Sequence, residues 1–183
     1  VADVNLDGKL DVVTVNSTGV NVYLNTTTSG TVSFAAPTTI SASGFAGLDL
    51  GDVDGDSKYD IVITKSTQTD ILLNTTAGSS MSFAPAVSVL DGNTKVSVVD
   101  LDADGDNDLF IRTKILENTY TSGALAASDF TAFSQGNSDD DLGFSVTDIN
   151  GDGYPEIVVG SSWDKMWVYN NSGTGTISTT TLS

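Results

Sequence analysis

The chain has 183 residues, 39% of them hydrophobic, no Cys, no His, and 24 acidic against 7 basic side chains, for a formal charge of −17. This composition excludes disulfide frameworks, thiolate or imidazole metal centres and His-based acid–base catalysis, and it opposes binding to nucleic acid or anionic membrane, which both need clustered Lys and Arg. The apolar fraction supports one folded domain, and no apolar run is long enough to cross a bilayer.

The chain opens on DVNLDGKLD, residues 3–11, where Asp3, Asp7 and Asp11 crowd together with Asn5. Like charges this close destabilise a compact state unless a positive group sits among them. The apolar run VVTV follows, then a polar turn, a second run at VNVYLN, the turn NTTTSG and a third run at VSFAAP. Runs this short, rich in Val and Ile and bounded by turn residues, predict strands.

The same order recurs. AGLDLG leads into DVDGDSKYD, IVIT, DILLN and MSFAPA; KVSVV leads into DLDADGDND, LFIR, KILEN and FTAFS; LGFSVT leads into DINGDGYPE, IVVG, MWVYN and TIST. The acidic segments begin at Asp3, Asp52, Asp100 and Asp148, spaced 49, 48 and 48 residues apart, and hold 15 of the 24 acidic residues. Four short strands per unit of this length predict an all-β fold, a β-propeller of four-stranded antiparallel blades, over about 1–45, 46–94, 95–141 and 142–183. Only Val1 and Ala2 precede the first acidic segment, so the first unit lacks an inner strand. The chain is therefore expected to supply about four blades of a larger ring, closed by remaining blades or another chain.

Calcium takes six to eight oxygen ligands in irregular geometry, whereas magnesium demands a strict octahedron. Oxygen side chains at loop positions 1, 3 and 5, a Gly at position 6, a backbone carbonyl at position 7 and an acid at position 9 suit calcium. An EF-hand is excluded, because its position 12 needs Glu between helices and here it is Thr14, Ile63, Ile111 or Val159, inside predicted strands.

The segment LGFSVTDINGDGYPEIVVGS, with DVNLDGKLDVVTVN, resembles the FG-GAP and VCBS-type repeats of integrin α-subunit propellers and of many secreted bacterial proteins. The resemblance spans nearly the whole chain, and its specificity lies in four copies in register. It implies ligands at Asp3, Asn5, Asp7 and Asp11; Asp52, Asp54, Asp56 and Asp60; Asp100, Asp102, Asp104 and Asp108; and Asp148, Asn150, Asp152 and Glu156. It implies position-7 carbonyls from Lys9, Lys58, Asp106 and Tyr154. Ser57 departs from Gly at position 6 and Glu156 from Asp at position 9, so loops one and three are expected to bind best.

Up to four structural Ca2+ ions would move the formal charge from −17 to −9. Such a module is expected outside the cell or at its surface, where calcium is abundant. The resemblance implies a non-catalytic adhesion or protein-interaction scaffold whose partner is a protein or glycan at the cell surface, with no nucleic acid and no membrane insertion. A carbohydrate-binding propeller, or an accessory propeller of a secreted polysaccharide-degrading enzyme, are the alternatives. Trp163 is a candidate exposed aromatic for the former but has no counterparts in the other units, and packing between blades is its simpler role. Trp167 and Tyr169 alternate along one strand, which predicts a core face. The sequons at Asn16, Asn25, Asn74 and Asn170 would mark exposed loops in a eukaryotic secreted protein.

Overall fold

The computed structural model describes residues 1–16, 18–41, 44–78, 80–90, 92, 95–112, 114–134, 141–161 and 166–173. They form four antiparallel meanders, with strands in spatial as well as sequence order. The first holds β1 (Val12–Asn16), β2 (Gly19–Tyr23) and β3 (Thr38–Ser41). The second holds β4 (Phe45–Gly51), β5 (Asp60–Lys65), β6 (Thr69–Leu72) and β7 (Val87–Val89). The third holds β8 (Ser97–Val99), β9 (Asp108–Ile111), β10 (Lys114–Asn118) and β11 (Phe130–Ser134), and the fourth β12 (Asp141–Thr147), β13 (Glu156–Ser161) and β14 (Met166–Tyr169). A 3₁₀ turn at Ala127–Asp129 leads into β11. Among the described residues no helix is long and apolar enough to cross a membrane.

These sheets are propeller blades set in a row. Neighbouring sheets touch through β1 and β4, β4 and β8, and β8 and β12, while no comparable contact among the described residues joins β1 to β12. The row is open. Ahead of the first acidic loop, only an Ala2–Asp11 bridge stands where the other sheets have a full strand, as the sequence predicts.

Strand periodicity builds the core. Side chains alternate between the two faces of a strand, and an inner blade is covered on both, so its strands are apolar at successive positions. Along β5, Ile61 and Ile63 face the first sheet while Val62 faces the third. Along β9, Leu109 and Ile111 face the second sheet and Phe110 faces the fourth, where its ring meets Phe144 edge-on at 4.6 Å. Each of the three junctions thereby has its own apolar cluster. Between β4 and β8 the strands come so close that a Cβ on Gly51 would collide with Val98, and Asp49 Oδ2 accepts the Val98 N–H at 2.8 Å.

The third strands of the first two units lie later than the sequence predicts. VSFAAP and MSFAPA contribute only isolated bridges, Asn25–Phe34 and Asn74–Phe83, and regular pairing resumes at Thr38 and Val87. Pro37 and Pro85 interrupt between the two stretches, because proline has no N–H for the ladder. Without a proline, FTAFS pairs continuously with β10. The TIST segment and Trp163 lie outside the described residues. Tyr169 packs into the cluster between the third and fourth sheets, whereas Trp167, on the same face, is partly exposed.

A recurring asparagine ties the blades together. Asn74 Nδ2 donates at 3.0 Å both to the Tyr59 carbonyl of its own loop and to the Val4 carbonyl of the preceding one. Asn118 does the same to Asn107 (3.1 Å) and Val53 (2.9 Å), and Asn171 to Pro155 (3.2 Å) and Leu101 (2.6 Å). Their Oδ1 atoms accept the N–H two residues on, at Thr76, Tyr120 and Gly173. All three are buried. Asn74 is thus an interior staple rather than an exposed glycan acceptor, contrary to the sequon reading, while Asn16 is exposed and accepts the Thr18 N–H in the β1–β2 turn. Asn118→Ala removes this donor from the buried Val53 carbonyl and the part-buried Asn107 carbonyl and should destabilise the fold by about 2–4 kcal/mol. Urea unfolding measures it; a midpoint unchanged from the parent would show that the staple carries no stability.

Candidate metal sites

The four acidic loops share one backbone course. Each joins the innermost segment of its unit to the next strand, and positions 4 and 6 both take left-handed φ: Leu6 and Gly8 (62° and 84°), Gly55 and Ser57 (74° and 66°), Ala103 and Gly105 (60° and 101°), Gly151 and Gly153 (80° and 95°). Position 4 is invisible to a reading that requires Gly only at position 6. A non-glycine residue in this region costs about 1–2 kcal/mol. Ser57 is therefore not a special burden on loop two, because Leu6 and Ala103 carry the same strain in loops one and three. Only loop four has glycine at both positions.

Side-chain oxygens brace this curl. The position-1 carboxylate accepts from the position-6 amide: Gly8 to Asp3 at 2.8 Å, Ser57 to Asp52 at 2.7 Å, Gly105 to Asp100 at 3.1 Å and Gly153 to Asp148 at 3.0 Å. Position 3 accepts from the position-5 amide, through Asn5, Asp54, Asp102 and Asn150, at 2.8–3.3 Å. Position 5 accepts from position 7, where the amides of Lys9, Lys58, Asp106 and Tyr154 donate to Asp7, Asp56, Asp104 and Asp152 at 2.9–3.0 Å. Short side chains that bond their own backbone two residues on are the turn chemistry of Asp and Asn.

The position-9 acid anchors the loop to the sheet. Asp11, Asp60, Asp108 and Glu156 are fully buried. One oxygen of each accepts the position-2 N–H: Val4 (3.0 Å), Val53 (2.8 Å), Leu101 (2.9 Å) and Ile149 (2.9 Å). In the first three units the other oxygen accepts the N–H of the stapling asparagine, Asn25 (2.8 Å), Asn74 (2.7 Å) or Asn118 (2.8 Å). A single buried carboxylate thus joins the loop to the end of the second strand.

In loops two and three the acids converge. One carboxylate oxygen from each of Asp52, Asp54 and Asp60 lies within 4.8 Å of the others, and the same holds for Asp100, Asp102 and Asp108. Asp56 and Asp104 stand outside these groups. The Asp56 carboxylate instead pairs with Lys58, and Asp7 with Lys9 at 3.6 Å. Asn5 and Asn150 replace the position-3 acid in loops one and four, and the Asn150 amide donates to Asp152 (3.0 Å) and Glu156 (3.1 Å).

The electrostatics register the crowding. Burial pushes the Asp60 carboxyl up to about 7 and Asp108 up to about 8, with Asp54 and Asp56 adding to the first and Asp102 and Asp104 to the second, against the pull of their backbone donors. Asp102 is pushed up to about 6, by burial and by Asp104. Burial and the charge of Asp56 raise Asp54. Asp100 Oδ1 is buried with no hydrogen-bond partner. An oxygen-only donor set, an orphaned buried oxygen and carboxylates that resist ionisation beside one another all fit a hard divalent cation.

Antiparallel blades, each entered through an acidic curl of this kind, define a β-sheet repeat protein of the propeller type. Residues 3–63 match the FG-GAP-like repeat and residues 143–179 match the FG-GAP repeat. The chain is an FG-GAP-type repeat protein. Loop three lies between the two matched segments and has the same backbone course. No curated protein matches the chain.

Gly153 has open space where a Cβ would stand, so its role is conformational. Gly153→Ala should cost about 1–2 kcal/mol, and Ala103→Gly should gain up to about 1 kcal/mol after the entropy of glycine in the unfolded chain is discounted. Thermal melts of the two variants measure both signs, and a gain from Gly153→Ala would contradict the backbone account.

Proposed function

We propose that the protein is a non-catalytic, calcium-stabilised scaffold that works outside the cell or at its surface and presents its loops to a protein or glycan partner. The observation that carries this reading is the convergence of three carboxylates at the same three loop positions in two successive units. Asp52, Asp54 and Asp60 would hold one ion and Asp100, Asp102 and Asp108 another. Weaker sites would use Asp3, Asn5 and Asp11 in loop one and Asp148, Asn150 and Glu156 in loop four, since affinity in such loops follows ligand charge. When bound, the ion supplies the positive charge that lets adjacent buried carboxylates stay ionised.

The scaffold reading draws support from the family, whose repeats belong to β-propeller-type interaction domains, and the extracellular one from the many extracellular proteins that carry FG-GAP repeats. Interaction requires the four loops to hold one shape, and ion binding would convert directly into folding free energy.

Thermal unfolding in calcium and in excess EDTA tests the ion. Calcium at a hundredfold excess over Kd should stabilise by about 2.7 kcal/mol for each occupied site, and magnesium by less. Asp102→Asn keeps the size of the side chain while removing a charge from loop three, so it should weaken calcium binding by calorimetry and leave the EDTA melt near that of the parent. Identical melting curves in calcium and EDTA would overturn the proposal.

A further inference from the structure

Asn150–Gly151 is the only Asn–Gly step in the chain, and it falls at loop position 3, where loops two and three carry Asp54 and Asp102. Asparagine followed by glycine can react within itself: the glycine nitrogen attacks the side-chain carbonyl carbon and closes a five-membered imide. Glycine favours the attack because no Cβ shields its nitrogen and its backbone turns freely. The space where a Gly151 Cβ would stand is open. Two obstacles slow the reaction in an ordinary chain. The amide nitrogen is a poor nucleophile until its proton leaves, and the side-chain amide is a poor electrophile.

Loop four addresses both. Asp148 Oδ1 accepts the Gly151 N–H at 2.7 Å, which places a carboxylate base on the proton that must leave. The Asp152 N–H donates to Asn150 Oδ1 at 2.8 Å, where negative charge develops as the nitrogen attacks. Nδ2, the atom to be expelled, is held by Asp152 Oδ2 at 3.0 Å and Glu156 Oε1 at 3.1 Å. Asn5 in loop one is the contrast. Leu6 follows it, the Asp3 carboxylate accepts the amides of Asp7 and Gly8, and the Asp7 N–H meets Asn5 Oδ1 at the longer 3.2 Å. Every contact around Asn150 lies within residues 148–156, so none depends on what borders the fourth sheet.

We propose that loop four converts its own Asn150 to aspartate. The Gly151 nitrogen, its proton taken by Asp148, bonds to Asn150 Cγ; the Cγ–Nδ2 bond breaks, and Nδ2 leaves as ammonia with that proton. Water then opens the imide. Cleavage between Cγ and the glycine nitrogen gives aspartate, and cleavage at the main-chain carbonyl gives isoaspartate, which adds a backbone carbon to the curl. In net terms the side-chain amide and one water become a carboxylic acid and ammonia. The aspartate product gives loop four acids at positions 1, 3 and 9, the set that converges in loops two and three. Its value as a metal site rests on the calcium reading; the conversion itself does not.

Incubation of the full chain in EDTA at neutral pH, followed by proteolysis and mass spectrometry, tests the conversion with no metal present. Peptides containing Asn150 should acquire the deamidated mass while those containing Asn5 keep theirs. The folded chain should convert faster than the same chain in urea. Asp148→Asn should slow the folded chain by at least about tenfold, with the circular dichroism of the parent confirming its fold. An Asn150 that persists, converts no faster than in urea, or ignores Asp148→Asn would overturn the proposal. For the product, calcium should raise the melting temperature of Asn150→Asp more than that of the parent. Equal increments would overturn the gained site. No increment in either protein would overturn the calcium reading and the gained site together, while the mass spectra decide the conversion separately.

Discussion

One buried carboxylate per unit holds this architecture together. The acid that ends each loop accepts the position-2 N–H with one oxygen and, in the first three units, the N–H of the staple asparagine with the other. In the second, third and fourth units the staple asparagine in turn reaches the preceding loop. Loop shape, the end of the second strand and blade-to-blade spacing are therefore coupled through a few hydrogen bonds. A buried carboxylate with paired donors is stable, whereas one whose partners are removed carries a full desolvation cost.

The same arrangement generates an electrostatic problem. Holding the position-9 acid inside the protein places it beside the acids at positions 1 and 3, and burial with mutual repulsion drives Asp60, Asp102 and Asp108 toward their neutral forms. Lys9 and Lys58 answer the charge at position 5 of loops one and two. A divalent cation between positions 1, 3 and 9, as we propose, would resolve the conflict by supplying positive charge where the carboxylates converge. In that reading site and fold are two aspects of one cluster: the position-1 and position-3 acids would serve the ion, and the buried position-9 acid would serve both the ion and the sheet.

Much of this was legible in the sequence because repetition amplifies weak signals. The spacing of Asp3, Asp52, Asp100 and Asp148 places the units, and short apolar runs bounded by turn residues locate β1, β5, β9 and β13. What escaped was set by context. Leu6 and Ala103 give no hint of left-handed backbone, since that conformation is imposed by the carboxylates around them. Pro37 and Pro85 displaced the outer strands by breaking a ladder that hydrophobic pattern alone extends through them. The staple could have been found: Asn closes each second strand in VYLN, ILLN, ILEN and VYNN, but its chemistry reads as turn or sequon until the neighbouring loop is in place.

The proposed scaffold depends on a hard divalent ion among the carboxylates at positions 1, 3 and 9. A crystal structure at saturating calcium, with anomalous scattering to identify the ion, tests it most directly. A peak ligated by Asp52, Asp54 and Asp60, and another by Asp100, Asp102 and Asp108, is the predicted result. Water or a lysine ammonium in both places, with the loops unchanged, would contradict it.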